Sequence, residues 1–150
     1  MSLEKTINTA IKEAMKAKAA GRLRALRAIK SAILLAKTAT GGSDEMTEAE
    51  EVKILSKLAK QRRDSATLYR EQNRVDLAEI EEEELVVIET FLPKQMGAEE
   101  VKKAVQEVIE QTGASGPQDI GKVMGVAMKK LAGQADGKLI SSIAKELLTS

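Results

Sequence analysis

The sequence predicts an all-α protein, and three observations support that prediction. Apolar residues recur every three to four positions along almost the whole chain, which is the spacing of one face of a helix. No segment alternates apolar and polar residues with the β-branched enrichment of a strand. Residues that begin and end helices separate the apolar stripes. With 150 residues, 43% apolar and 31% charged, the chain is long enough to bury a core.

The first two helices follow from the N-terminal apolar stripes. Ser2 is a suitable N-cap for the first helix, and Gly21 separates this helix from the second. The stripe of the first helix comprises Leu3, Ile7, Ile11, Ala14 and Met15. The stripe of the second comprises Leu23, Leu26, Ile29, Ile33 and Leu34. The other face of the second helix is basic and carries Arg22, Arg24, Arg27, Lys30 and Lys37.

Two further helices are predicted before the first proline. Residues 40–45 form a polar, glycine-containing loop by composition. Thr47 and Glu50 then have the spacing of a capping box, in which hydroxyl and carboxylate satisfy each other's free amides, so a third helix begins there. A fourth helix follows with Asp76 as its cap and continues to about Phe91.

The second part of the chain is predicted as a smaller, three-helix module. Pro93 ends the fourth helix, so we divide the chain into an antiparallel helical bundle (residues 1–92), a linker (93–97) and a C-terminal module (98–150). The first helix of this module ends at Gly113, the second has Pro117 in its first turn and ends near Gly133, and Asp136 caps the last.

The composition excludes several kinds of chemistry. Histidine and cysteine are both absent, which rules out Ser-His-Asp and Cys-His nucleophiles, zinc held by those residues and thiol redox chemistry. We therefore predict no catalytic residues, no metal and no cofactor. No apolar run is long enough to span a membrane, and early acids at Glu4 and Glu13 argue against a transit peptide, so a cytoplasmic location is expected.

Two motifs are interpreted as structural. Residues 116–122 have the spacing of a phosphate-binding P-loop, but Val123 replaces the hydroxyl that would hold magnesium and Pro117 removes an amide donor, so an interhelical turn is predicted. The acidic run 81–84 points around a whole helix and cannot converge on one ion. It is interpreted as a solvated face that pairs with arginines, namely Arg62, Arg63 or Arg74.

The segment after residue 120 is the candidate binding region. Gly121 and Gly125 lie one helical turn apart, and because glycine weakens a helix, either a neighbouring helix or an external backbone such as RNA should approach them closely. The chain as a whole carries +1, whereas residues 121–150 carry five lysines against two acids, a net charge of +3. Such a segment suits phosphate contacts. No aromatic residue interleaves it, so recognition of a folded RNA by its backbone and shape is the compatible mode.

Two blocks of sequence in order resemble the signature of the YqeY family. The first comprises residues 60–65 (KQRRDS), Tyr69, 74–78 (RVDLA) and 92–95 (LPKQ), and the second comprises 121–125 (GKVMG) and 133–139 (GQADGKL). This family is grouped with the tail of GatB, a subunit of the amidotransferase that converts Glu-tRNA(Gln) or Asp-tRNA(Asn). The resemblance implies carbon–nitrogen ligation with glutamine as amido donor. In the amidotransferase, however, a glutaminase subunit and another GatB domain perform that chemistry, and the tail grips the tRNA body.

The resemblance therefore implies a tRNA-binding surface rather than a catalytic centre. The residues placed in contact with tRNA by similarity are Lys122, Lys129, Lys130 and Lys138, with Gly133 and Asp136 shaping a turn. The leading hypothesis is a non-catalytic, tRNA-binding accessory module. The alternatives are the amidotransferase activity itself, within a larger assembly, and a helical protein-interaction module whose N-terminal bundle docks an aminoacyl-tRNA synthetase or an amidotransferase subunit.

Overall fold

A computed structural model describes residues 2–41 and 45–149. Over these residues it contains seven α-helices, one 3₁₀ turn and no strand, which confirms the predicted all-α class. The predicted loop at 40–45 falls largely on residues 42–44, which lie outside the described ranges. None of the helices described is long and apolar enough to cross a membrane. The chain divides into two compact units, one ending at Leu92 and the other beginning at Pro93.

The first unit consists of four helices: α1 (Leu3–Lys16), α2 (Ala20–Ala39), α3 (Glu48–Glu71) and α4 (Val75–Glu89). Helix α4 packs against both α2 and α3, and α1 packs against α2. The core is almost entirely aliphatic, with Phe91 packed at its edge. Its largest fully buried side chains are Ile7, Leu26, Ile29, Ile33, Leu55 and Ile88.

The predicted N-caps at Ser2 and Thr47 are both confirmed. The Ser2 hydroxyl accepts a hydrogen bond from the Lys5 amide at 3.3 Å, which caps α1. In the capping box of α3, the Thr47 hydroxyl accepts from the Glu50 amide at 3.2 Å, and the Glu50 carboxylate accepts from the Thr47 amide at 2.8 Å. These bonds depend only on residues three positions apart, and for that reason they can be read from the sequence.

Two predicted helix boundaries were wrong. The break between α1 and α2 lies at Lys18, which adopts a left-handed φ of 55°, and Gly21 is inside α2. Asp76 does not cap α4: it lies in the first turn, with Arg74 at the cap position, and it pairs with the Arg74 guanidinium at 3.2 Å. A negative charge in the first turn stabilises a helix through the helix dipole. An aspartate near a helix start is therefore compatible with two positions, the N-cap and the first turn, and the sequence does not distinguish them.

Gly21 has a tertiary role instead. A β-carbon at this position would lie 1.9 Å from a carboxylate oxygen of Glu83, on the neighbouring helix α4. The missing side chain therefore lets the Glu83 carboxylate lie against the first turn of α2.

The second unit consists of α5 (Ala98–Thr112), a 3₁₀ turn (Pro117–Asp119), α6 (Ile120–Lys130) and α7 (Gly137–Thr149). The three helices pack against one another around a separate aliphatic core, whose fully buried side chains include Val101, Val105, Val108, Val123 and Ile140. Gly113 ends α5 in the left-handed conformation (φ 69°), as predicted. Pro117 opens the 3₁₀ turn, where its missing amide is tolerated.

Candidate nucleic-acid interface

One exposed face of α6 forms a shallow, open groove of about 550 Å³, which we call the α6 groove. The residues that line it are Gly121, Lys122, Gly125, Val126, Lys129 and Lys130. Five of these six residues are the glycines and lysines of the basic segment, and the sixth, Val126, is 38% exposed.

The sequence of α6 explains why the groove faces outward. Val123, Ala127 and Leu131 recur every four residues and are buried in the core of the second unit. A helix that buries this stripe presents the glycines and the first two lysines away from the core, whereas Lys130 lies beside the buried stripe, on the side that faces α5. The chemistry of the groove and the packing of the helix are thus set by the same periodicity.

The two glycines are uncovered. A β-carbon added at Gly121 or at Gly125 would meet no described atom within 4 Å beyond the helix itself. The hypothesis that a neighbouring helix requires these glycines is therefore wrong for the part of the chain that the structure describes. The other hypothesis, that an external backbone approaches them, remains compatible with the geometry.

The lysines of the groove differ in their surroundings. Among the described residues, neither Lys122 nor Lys129 has an acidic partner within 4 Å. The ammonium group of Lys130, in contrast, lies 3.1 Å from a carboxylate oxygen of Glu107 on α5. Two positive charges are therefore directly available to an anionic ligand, and the third is shared with an acid.

The remaining predicted site residues lie in or just after the α6–α7 turn and do not line the α6 groove. Gly133 adopts φ 75°, a left-handed conformation that glycine accepts readily, so its predicted role in shaping the turn fits the backbone. Asp136 directly precedes α7, and Lys138 is exposed on its first turn. The structure thus brings together Lys122, Lys129 and Lys130, with Lys138 outside this group.

The turn is held by the segment that precedes α5. The side-chain amide of Gln95 donates to the Gly133 carbonyl at 2.7 Å, and the Met96 amide donates to the Gln134 carbonyl at 2.8 Å. Residues 93–97, predicted as a linker, thus form part of the second unit and are hydrogen-bonded to its α6–α7 turn. Sequence reasoning did not find these bonds, since nothing in a side-chain amide indicates a partner 38 positions away.

The segment that resembles a P-loop is an interhelical turn. The Ser115 amide donates to the Asp119 carboxylate at 3.0 Å, and the Asp119 amide donates to the Gly116 carbonyl at 3.0 Å. The 3₁₀ turn and the start of α6 then follow directly. Within residues 116–122, the amides of Asp119 and Ile120 donate to carbonyls of the turn itself.

The acidic run in the first unit is only partly a solvated face. Glu84 is buried, with 7% of its surface exposed, and its carboxylate lies 3.3 Å from Arg24 and 3.0 Å from Arg62. The prediction of a fully solvated run was therefore wrong at Glu84, although the predicted pairing with Arg62 is present. Within residues 2–41 and 45–149, no group of three acidic side chains could hold a metal ion.

Glu82, within this run, forms an ion pair at the surface, as does Asp76 in the first turn of α4. The Arg70 guanidinium binds both carboxylate oxygens of Glu82, at 2.6 and 2.8 Å, and these hydrogen bonds lower the pKa of Glu82. Arg74 lowers the pKa of Asp76 in the same way. Both pairs lie at the surface, and each joins an arginine of this unit to an acid of the same unit.

Over the described residues, the fold and the groove define a class: a helical protein of two compact units, the second of which exposes a basic, glycine-containing helix face. The family model described as Yqey-like protein matches residues 4–148. The chain belongs to the YqeY family, as its two sequence blocks indicated. No match was found among the curated proteins.

Proposed function

We propose that this protein is a non-catalytic accessory module that binds the body of tRNA through the α6 groove. The observation that carries the proposal is the uncovered glycine face beside Lys122 and Lys129, which bear no ion pair among the described residues. The chain belongs to the YqeY family, and the resemblance of that family to the tail of GatB supports the choice of tRNA.

The energetics of α6 support a role for the exposed glycines. Glycine in a helix interior costs about 1 kcal/mol relative to alanine, and Gly125 lies in the middle of α6. No described side chain or backbone uses the space beside it. A ligand backbone that packs against the helix would gain from that space, since a β-carbon would hold it further away.

The charge distribution supports phosphate contacts of moderate strength. Each lysine that neutralises a phosphate releases a counterion, so two or three contacts give an affinity that falls with salt with a logarithmic slope of about −2 to −3. The only two aromatic residues, Tyr69 and Phe91, both lie in the first unit. The groove therefore has no platform for base stacking, which favours recognition of backbone and shape.

The test is filter binding of bulk tRNA at increasing salt concentration, with charge-reversed variants. We expect Lys129→Glu to weaken binding by about tenfold, because it removes one phosphate contact and introduces repulsion. Lys145→Glu is the matched control: it makes the same change of charge on an exposed residue of α7 that does not line the groove. Binding that is indifferent to salt, or equally weakened by both variants, would contradict the proposal.

The non-catalytic part of the proposal has its own test. The composition lacks histidine and cysteine, so neither a Cys-His nor a Ser-His-Asp nucleophile for glutamine hydrolysis can be assembled from this chain. We expect purified protein to release no ammonia from glutamine and to leave Glu-tRNA unchanged. Either activity would contradict the proposal and favour an amidotransferase.

A protein-docking function is a second candidate because adjacent leucines are exposed on α2. Leu34 and Leu35 are 47% and 74% exposed, and both lie on the outer side of the helix. Pull-down from lysate with and without RNase separates the two functions: partners lost on RNase treatment support RNA binding. Protein partners that persist with RNase but are lost in Leu35→Arg support docking through α2.

A further inference from the structure

The ion pair between Lys130 and Glu107 lies at the edge of the α6 groove. The ammonium and carboxylate groups are 3.1 Å apart, and their side chains are 39% and 63% exposed. Glu107 projects from α5, which packs beside α6. Of the three lysines in the groove, Lys130 alone has an acidic partner among the described residues.

This pair competes with any anionic ligand of the groove. A phosphate that contacts Lys130 must either displace the Glu107 carboxylate or lie close to its negative charge. Exposed ion pairs are weak, so the exchange itself is easy. The displaced carboxylate nevertheless stays within about 10 Å of the bound phosphate, a distance at which repulsion is only partly screened at ordinary salt.

We propose that Glu107 limits the affinity of the α6 groove for RNA by holding Lys130 and by repelling the bound phosphate backbone. This inference rests on the proposed function and deepens it, because it names an acidic residue that regulates the same site. Glu107 is a surface residue outside both hydrophobic cores, so its charge can be removed without disturbing the packing.

The test is tRNA binding by Glu107→Gln, which removes the charge and keeps the shape of the side chain. We expect binding to tighten by about three- to fivefold. We also expect the logarithmic salt slope to steepen by about one, because Lys130 gains a phosphate contact. Glu110→Gln is the matched control, since it removes the same charge from an exposed position one turn further along α5.

A double-mutant cycle with Lys130→Gln separates the two contributions. If Glu107 acts through Lys130, the gain from Glu107→Gln should be mostly lost in the Lys130→Gln background. Wild-type protein that binds no tRNA would contradict the proposed function itself. Wild-type protein that binds tRNA, with no gain from Glu107→Gln or an equal gain from Glu110→Gln, would contradict this inference alone.

Discussion

Gln95 and Gly133 are joined by a hydrogen bond of 2.7 Å from a side-chain amide to a backbone carbonyl, across 38 positions of sequence. The same side-chain nitrogen also donates to the Pro93 carbonyl at 2.9 Å. Gln95 ends the first block of the family resemblance, and Gly133 lies in the second. Two stretches that are separate in the sequence thus meet at the α6–α7 turn.

We expect Gln95→Ala to destabilise the second unit by about 1 kcal/mol, because the Gly133 carbonyl loses its side-chain donor. Hydrogen exchange of the Met96 amide, which donates to the Gln134 carbonyl, measures the effect locally. Gln106→Ala removes an exposed amide from α5 and serves as the control. Equal protection of the Met96 amide in both variants would show that the Gln95 bond does not hold the turn.

Two glycines of the second unit should respond oppositely to alanine. Gly113→Ala should destabilise by about 1 kcal/mol, because φ 69° is strained for a residue with a β-carbon. Gly125→Ala should stabilise by about 0.4–1 kcal/mol, since the helix improves and the new methyl group meets no described atom. Urea unfolding measures both changes.

The same Gly125→Ala variant should bind tRNA more weakly despite its greater stability. Its methyl group would hold a ligand backbone away from α6, and filter binding measures the loss. Ser142→Ala, at an exposed position of α7, is the control for alanine substitution. Unchanged binding would mean that the glycine face is not part of the interface.

Glu84 should be the most sensitive acid of α4. We expect Glu84→Ala to destabilise the first unit by about 2 kcal/mol, because it leaves Arg62, whose side chain is only 19% exposed, without its nearest carboxylate. Arg24 is half exposed and can be resolvated, which keeps the loss below that of a fully buried pair. Glu79→Ala, on the exposed side of the same helix, should be close to neutral in thermal unfolding.

The pair of Arg70 and Glu82 predicts a pH dependence with a definite sign. The hydrogen bonds from Arg70 lower the pKa of Glu82 in the folded protein. Their stabilising contribution is thus present above the pKa of the unfolded chain and is lost as the pH falls through the lower, folded pKa. The pair lies at the surface, with 39% of the Glu82 side chain exposed, so the effect on stability is small, and the titration itself is the better measurement.

We expect Arg70→Gln to raise the pKa of Glu82 back towards that of an ordinary glutamate, as followed by NMR of its side-chain carboxyl carbon. Lys53→Gln removes a positive charge from the same helix at about 25 Å from Arg70, and it should leave the titration unchanged. An unchanged pKa in Arg70→Gln would contradict the bidentate pair.

How much of this fold the sequence predicts depends on how local each feature is. The caps at Ser2, Thr47 and Gly113 were predicted correctly because each involves residues within one helical turn. The break between α1 and α2 was misplaced because Gly21 was interpreted as a local helix breaker. Its space is in fact occupied by Glu83, a residue of another helix.

The candidate site shows the same limit. The spacing of Gly121 and Gly125 is compatible with a covering helix and with an open face, and only the packed structure distinguishes them. Likewise, a net charge counts every lysine of residues 121–150 equally. In the structure, however, Lys130 pairs with Glu107, and Lys138 lies outside the groove. Glu107 itself carried no sequence signal, because an isolated acid on a helix surface is common.

The sequence by itself therefore determined the all-α class, most helix ends, the family and the basic character of the C-terminal segment. These properties follow from the 3.6-residue period, from hydrogen bonds within one turn and from residue order. Only the tertiary structure decided which glycines are covered, which lysines share a groove, and that Glu84 is buried between two arginines. The physical reason is that the covering of a glycine and the pairing of two charges depend on which helices pack together. Contacts between residues far apart in the chain produce no periodic pattern in the sequence.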